Sequence, residues 1–240
     1  MKIKVLLPAV EFSLSQDAKD YLAEAADPDT ELVYESIEWG TGSIESEYDE
    51  ALACQDIFEK TEAAVQAGCD GLFVDCFGDP GVRGAREITK IPIVGGFEPA
   101  MMLAMGLGDN IGIITVLDNV VPMLWGNVHK MGIQDRVKAI DVVNMPVLEL
   151  HNFDDLIDVL TAAAKKAILE KQVHVLVLGC TGMALAAELV HDNLMKDGLD
   201  VPVVDPSRAA IKVLESYIRM GLYPSKRCYM TPTEKKRNLK

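Results

Sequence analysis

The chain has 240 residues, 49% of them hydrophobic, enough to bury one large core or two small ones. Its 37 acidic against 23 basic residues leave a formal charge of −14, which repels nucleic acid and anionic membrane surfaces and argues against both as partners. The five cysteines (Cys54, Cys69, Cys76, Cys180, Cys228) are odd in number and lack CxxC spacing, so neither a disulfide framework nor a zinc site is suggested, and a reducing cytoplasm fits best.

The opening MKIKVLLPAVEF carries charge and an apolar patch, but Pro8 and Glu11 interrupt it before a signal-peptide core is complete. No apolar stretch approaches the length of a membrane span. In the first half, residues 3–8 are predicted as a strand, residues 15–26 as a helix ended by Asp27-Pro28, and residues 31–37 as a second strand. Gly40-Thr41-Gly42-Ser43 reads as a flexible loop, and residues 48–67 as a long helix closed by Gly68. The apolar run 71–75 is a buried strand that delivers Cys76 to a sharp break at Gly78, Asp79, Pro80 and Gly81. A short helix (82–88), a strand (92–95) and a Met-rich helix (99–105) follow.

The second half repeats this order: strand 110–116, helix 119–131, strand 137–142, long helix 153–171, then strand 174–178, which runs into Gly179-Cys180-Thr181-Gly182. Helix 183–195, strand 201–204 and helix 206–220 complete it, and a basic end (Lys235, Lys236, Arg237, Lys240) reads as a solvated tail. The fold class is therefore α/β: two pseudo-symmetric Rossmann-like lobes, each a mostly parallel four-stranded sheet flanked by helices and wound right-handedly, with a ligand cleft between them. The expected boundaries are 1–97 for the first lobe, 98–205 for the second, 206–228 packing back on the first, and 229–240 as tail. Parallel sheets gather ligands beyond the carboxyl ends of their strands, which makes Pro8, Cys76, Gly95, Thr115, Cys180 and Asp205 the pocket candidates by topology.

One thiol on each wall of a cleft suits a reaction that takes a proton from one face of a carbon and returns it to the other. One sulfur must be thiolate and the other thiol, and they exchange states at each turnover. A helix beginning near Met183 and the amides around Gly78 are expected to favour the anions of Cys180 and Cys76. Bare amides at Gly78 and Gly182 suit a developing enolate oxygen.

Asp75-Cys76-Phe77-Gly78-Asp79-Pro80-Gly81, then Arg86-Glu87, then Pro92-Ile93-Val94-Gly95 with Glu98 after it, resembles the signature of the hydantoin racemase family, within the aspartate/glutamate racemase superfamily. Gly179-Cys180-Thr181-Gly182-Met183-Ala184 is similar to that family's second cysteine motif, and Val203-Val204-Asp205-Pro206 to its last strand. The resemblance implies a two-base racemase that needs no cofactor and no metal, with hydantoins or allantoin as small-molecule substrates and a homo-oligomeric assembly. By this carry-over Cys76 and Cys180 are the acid/base pair, and Pro8, Phe77, Gly78, Asp79, Glu98, Thr115, Thr181 and Gly182 bind substrate. The chain departs from the family at the end of the first strand, where Leu7-Pro8-Ala9-Val10-Glu11 replaces Asn-Pro-Asn-Thr-Ser. It also lacks the Asn-Thr that follows the first cysteine in glutamate and aspartate racemases, which argues against a free amino acid as substrate.

Simpler roles stand beside these. Asp79 and Thr115 are as easily turn or packing residues as ligands, Glu98 as easily a cap on the helix at Pro99, and Cys54, Cys69 and Cys228 read as small core residues. Arg83 and Arg86 read as solvated helix residues, Met101, Met102 and Met105 as packing between lobes, and the four histidines are scattered without metal-ligand spacing. Two rivals stay open: a maleate-isomerase-like or malonate-decarboxylase-like enzyme using one cysteine covalently, which adduct trapping would reveal, and a two-lobed binding protein without turnover, whose thiols would react slowly and go unprotected by ligand.

Overall fold

A computed structural model of the chain describes residues 1–237, so the end of the expected tail, with Lys240, lies outside the described residues. Strands β1 (Lys2–Leu7), β2 (Glu31–Ser36), β3 (Gly71–Val74) and β4 (Ile93–Val94) form one sheet in the order β2-β1-β3-β4. Strands β5 (Ile111–Thr115), β6 (Val137–Val142), β7 (Val175–Leu178) and β8 (Val203–Val204) form a second in the order β6-β5-β7-β8. Every pairing is parallel. The central strands are apolar on both faces because helices cover both: β3 and β7 are buried throughout.

The helices are α1 (Gln16–Ala25), α2 (Glu47–Gln66), α3 (Val82–Ile88), α4 (Phe97–Leu107), α5 (Val121–Met131), α6 (Phe153–Lys171), α7 (Ala186–Lys196) and α8 (Pro206–Arg219). Their starts follow local chemistry. Ser15 and Ser46 accept the amides of Ala18 and Asp49, each at 3.2 Å, and Asp205 accepts those of Ser207 and Arg208 at 2.8 and 2.9 Å. Helix α8 closes the first sheet from the far end of the sequence: Ala210, Ile211 and Leu214 are buried with Ile3, Val5, Leu22, Phe73 and Val94. Burying each large aliphatic side chain there contributes about 1.5–3 kcal/mol.

Helix α4 joins the second-lobe core instead, with Phe97, Ala100, Met101 and Ala104 packed among the β5 and β7 residues. Met101 is fully buried, whereas Met102 is 41% exposed and meets α8 through the Tyr217 hydroxyl, which donates to its sulfur at 3.7 Å. Two helices are preceded by a 3-10 turn and start later than expected. The helix expected at residue 119 opens as a 3-10 turn, Asp118–Val120, before α5. The helix expected at residue 183 begins at Ala186, because a 3-10 turn (Thr181–Met183) and Leu185, held at φ 75°, come first.

Candidate active site

The carboxyl ends of β1, β3 and β7 open on one small cavity of about 80 Å³. Pro8, Cys76, Cys180, Thr181 and Gly182 line it together, with Phe12, Leu14, Ile44 and Val147 making most of the rest apolar. Cys76 comes from the first lobe and Cys180 from the second, so parallel topology alone brings residues a hundred positions apart to one space. The cavity is roofed by a contact between lobes: the Val147 amide donates to Glu45 Oε1 at 2.7 Å, fastening the loop of Gly42, Ser43 and Ile44 to the 3-10 turn Val147–Glu149.

Each sulfur emerges at a turn that supplies amides. The Gly78 amide donates to Cys76 Sγ at 3.4 Å, and the Gly182 and Met183 amides bond the Cys180 sulfur. These donors do not win. Burial pushes the Cys76 thiol well up and the Cys180 thiol up to about 12, with the carboxylates of Asp79 and Glu50 adding to the first and those of Asp75 and Glu45 to the second. The expected lowering by a helix N-terminus fails at Cys180 because α7 starts only at Ala186, leaving a single 3-10 turn next to the sulfur. Before substrate binds, both groups hold their protons.

Five of the expected ligand residues do not line the cavity, and of these Gly78 only turns its amide to the Cys76 sulfur. Phe77 is buried in the second-lobe core, its ring edge-on to Phe97 at 5.2 Å, because the backbone turn after Cys76 sends it inward. Thr115 is also buried, and its hydroxyl donates to the Gly179 carbonyl at 3.0 Å beneath the Cys180 turn. Gly179 is required there, since a Cβ would sit 2.8 Å from that of Thr115. Asp79, at φ 56°, turns away from the thiols and caps α4, its two oxygens accepting the amides of Phe97 (2.8 Å) and Glu98 (3.1 Å). Burial and the Glu98 charge push it up to about 7 against those amides and Arg86.

Glu98 does not cap α4. It pairs with Arg86 at 2.5 Å, and Arg86, expected in solvent, is only 7% exposed, donating also to the Ile93 carbonyl and Tyr229 hydroxyl. Arg83 is exposed as expected, and Cys228 is exposed rather than packed in a core. Of the other topological candidates, Gly95 is pressed against Asp79, and Asp205 is consumed as the α8 cap. Sequence pattern did not point to Asp75, Phe12, Leu14 and Val147 as cavity residues, nor to Glu45, which holds the Val147 amide, nor to Asn127, whose side chain donates to the Gly78 carbonyl at 2.8 Å. An acidic residue ending an otherwise apolar strand was the available signal for Asp75; the others come from loops that only folding brings near.

Two parallel-sheet lobes that each contribute a cysteine to a shared cavity make this a two-lobed α/β protein with its candidate site between the lobes. A model of the family described as "Asp/Glu/Hydantoin racemase" matches residues 10–214. The hydantoin racemase of Pseudomonas sp. (strain NS671) is 35% identical, covering 98% of this chain and 93% of that protein; the hydantoin racemase of Paenarthrobacter aurescens is 32% identical, covering 98% and 99%. The crystal structure of allantoin racemase from Pseudomonas fluorescens superposes with a TM-score of 0.91 at 30% identity, covering 99% of this chain and 100% of that one. The chain belongs to the Asp/Glu/Hydantoin racemase family, and it is an isomerase of the racemase type.

Proposed function

We propose that this enzyme racemises 5-substituted hydantoin-like rings, without a cofactor, by passing a proton between Cys76 and Cys180 across the ring carbon. The observation that carries the reading is the convergence of one thiol from each lobe on a single cavity. C5 of a hydantoin lies between a ring carbonyl and a nitrogen, so an enolate forms without an external electron sink. One cysteine, as thiolate, takes the C5 proton; the electron pair moves onto the carbonyl oxygen, where amides near Gly78 or Gly182 stabilise it. The other cysteine, as thiol, gives its proton to the opposite face, and the two sulfurs exchange states.

The wall of Phe12, Leu14, Ile44 and Val147 supports a hydrocarbon substituent at C5 over the ureido group of allantoin, consistent with the apolar Leu7-Pro8-Ala9 at the end of β1. A homo-oligomeric, cytoplasmic enzyme is part of the same reading. The test follows loss of optical rotation across a panel of single-enantiomer 5-alkyl and 5-aryl hydantoins and allantoin, with Cys76→Ser and Cys180→Ser alongside. Racemisation of the alkyl and aryl hydantoins that both substitutions abolish is the expected result; full turnover by either variant overturns the mechanism, and preference for allantoin overturns the substrate.

A further inference from the structure

We propose that Asp75 is a positioning residue for this chemistry: its buried carboxyl, at the cavity between the two cysteine-bearing strand ends, controls the ionisation of Cys180 and so makes the two directions of proton transfer unequal. The inference rests on the two-thiol reading above. It starts from the alternation of a strand. Asp75 follows β3, its amide bonded to the Leu6 carbonyl at 2.8 Å, so it shares a face with Phe73, the face covered by α8, while Cys76 takes the other face. There the Asp75 carboxyl is 8% exposed, meets the Ser207 hydroxyl at 3.4 Å, and lines the cavity that both cysteines line.

The second lobe is fastened to this same residue. The Thr181 hydroxyl, one position after Cys180, donates to the Asp75 carbonyl at 3.1 Å. The Cys180 turn thus sits against Asp75, and the carboxylate acts on the two sulfurs unequally: its charge raises Cys180, whereas the carboxylates that raise Cys76 are those of Asp79 and Glu50.

The groups facing Asp75 leave it without a cation. From α8 come Asp205 and Arg208, but Asp205 already accepts the Ser207 and Arg208 amides and the Tyr21 hydroxyl, and the Arg208 guanidinium lies 3.7 Å over the Tyr21 ring and bonds Glu188. From β2 comes Tyr34, its ring covered by Lys19 of α1, with Asp20 beyond it; from the second lobe comes Cys180, with Glu45 on its other side. Among the described residues no salt bridge reaches Asp75. Burial and the Asp205 charge push its carboxyl up to about 7, while the Thr181 and Ser207 hydroxyls pull it back. Charged, Asp75 adds to the burial that keeps Cys180 as the thiol; neutral, it withdraws that addition.

Racemisation has an equilibrium constant of one, so kcat/KM must be equal for the two antipodes at every pH. A bias on one sulfur therefore appears as kcat and KM shifting together for one antipode relative to the other, which a merely structural residue would not produce. The experiment uses the full chain and Asp75→Asn. Each cysteine's alkylation by iodoacetamide is followed by peptide mass spectrometry from pH 6 to 9 (a range bracketing the carboxyl's midpoint of about 7), and kcat is measured from both antipodes of one accepted hydantoin. The expected result at the alkaline end is about a tenfold rise in Cys180 alkylation, the factor that one pKa unit represents, with Cys76 little changed and the kcat ratio moved by a similar factor.

Unchanged Cys180 alkylation and an unchanged kcat ratio in folded Asp75→Asn overturn the proposal. Should that variant not fold, Ser207→Ala takes its place: losing the hydroxyl that supports the anion must move upward the pH at which the climb of Cys180 alkylation flattens, and no movement is equally fatal. The alkylation arm needs no substrate, so a wrong assignment of the racemisation chemistry shows in the Cys→Ser variants while the effect of Asp75 on Cys180 is still measured.

Discussion

The turn after β3 and the turn after β7 hold matching places in two copies of one topology, yet they are anchored by opposite means. The first is held largely by charged side chains: Asp79 caps α4 and Glu98 pairs with Arg86, while the Asn127 side chain of α5 ties the Gly78 carbonyl. The second is fixed by hydroxyls: Thr115 supports Gly179 from below, and Thr181 reaches across to Asp75 in the other lobe. Its helix also starts late, after Leu185 in a left-handed conformation. Repetition of the chain trace determines where each sulfur emerges; the anchoring residues determine how rigidly it is held and what charge it feels. Two thiols equivalent by topology are thus inequivalent by environment.

The comparison breaks most visibly if the cysteines are replaced. Cys76→Ser and Cys180→Ser should each lose about 10²- to 10⁴-fold in racemisation while unfolding at the wild-type temperature, and each should keep exchange of the C5 proton with deuterated solvent for only one antipode, opposite in the two variants. Retention of exchange for both antipodes in one variant would show that its cysteine is not half of a pair.

Because burial raises both thiols, the reactive thiolate is scarce at neutral pH, and kcat/KM should climb roughly tenfold per unit between about pH 7 and 9. A flat profile across that range, measured by polarimetry, contradicts the raised thiols. Stability runs the other way. The folded state keeps protons on Asp75 and Asp79 up to about 7, whereas the unfolded chain releases them in the ordinary carboxylate range, so their ionisation removes stability as pH rises from about 4 to 7. Denaturant midpoints for Asp75→Asn, which cannot ionise, should gain on wild type across that window.

The two kinds of anchor can be weighed directly. Asp79→Ala strands two amides at the start of α4 and should cost about 2 kcal/mol, whereas Thr181→Val removes one hydroxyl bond and should cost about 1 kcal/mol, both read by urea unfolding. Equal costs would mean that charge and hydroxyl anchoring are interchangeable here. The smallest effect is expected at the roof: Glu45→Ala releases the Val147 amide from the cleft edge, and KM should rise a few-fold, about the worth of one solvent-accessible hydrogen bond, with the unfolding midpoint little moved.

Much of this architecture was legible in the chain. Alternating apolar runs and helical patterns gave the order of all eight strands, and the strand–Cys–Gly repeat gave the two thiols, because burial on both faces of a parallel sheet leaves a continuous apolar signal ending at a turn. The ligand assignments fared unevenly for an equally physical reason. Phe77, Thr115 and Asp79 sit beside the cysteines in sequence, but a strand end alternates its side chains and a tight turn reverses them, so neighbours in the chain face different layers.

The sequence by itself determined the repeated α/β topology, the strand ends that carry Cys76 and Cys180, and membership of the racemase family, since these depend on local pattern and motif. Only the tertiary structure decided that both thiols are raised rather than lowered, that Asp75 stands at the cavity, and that Glu45 and Val147 close it. Those outcomes depend on how water is excluded and which distant charges meet, and neither dielectric surroundings nor long-range contacts are encoded by any one stretch of chain.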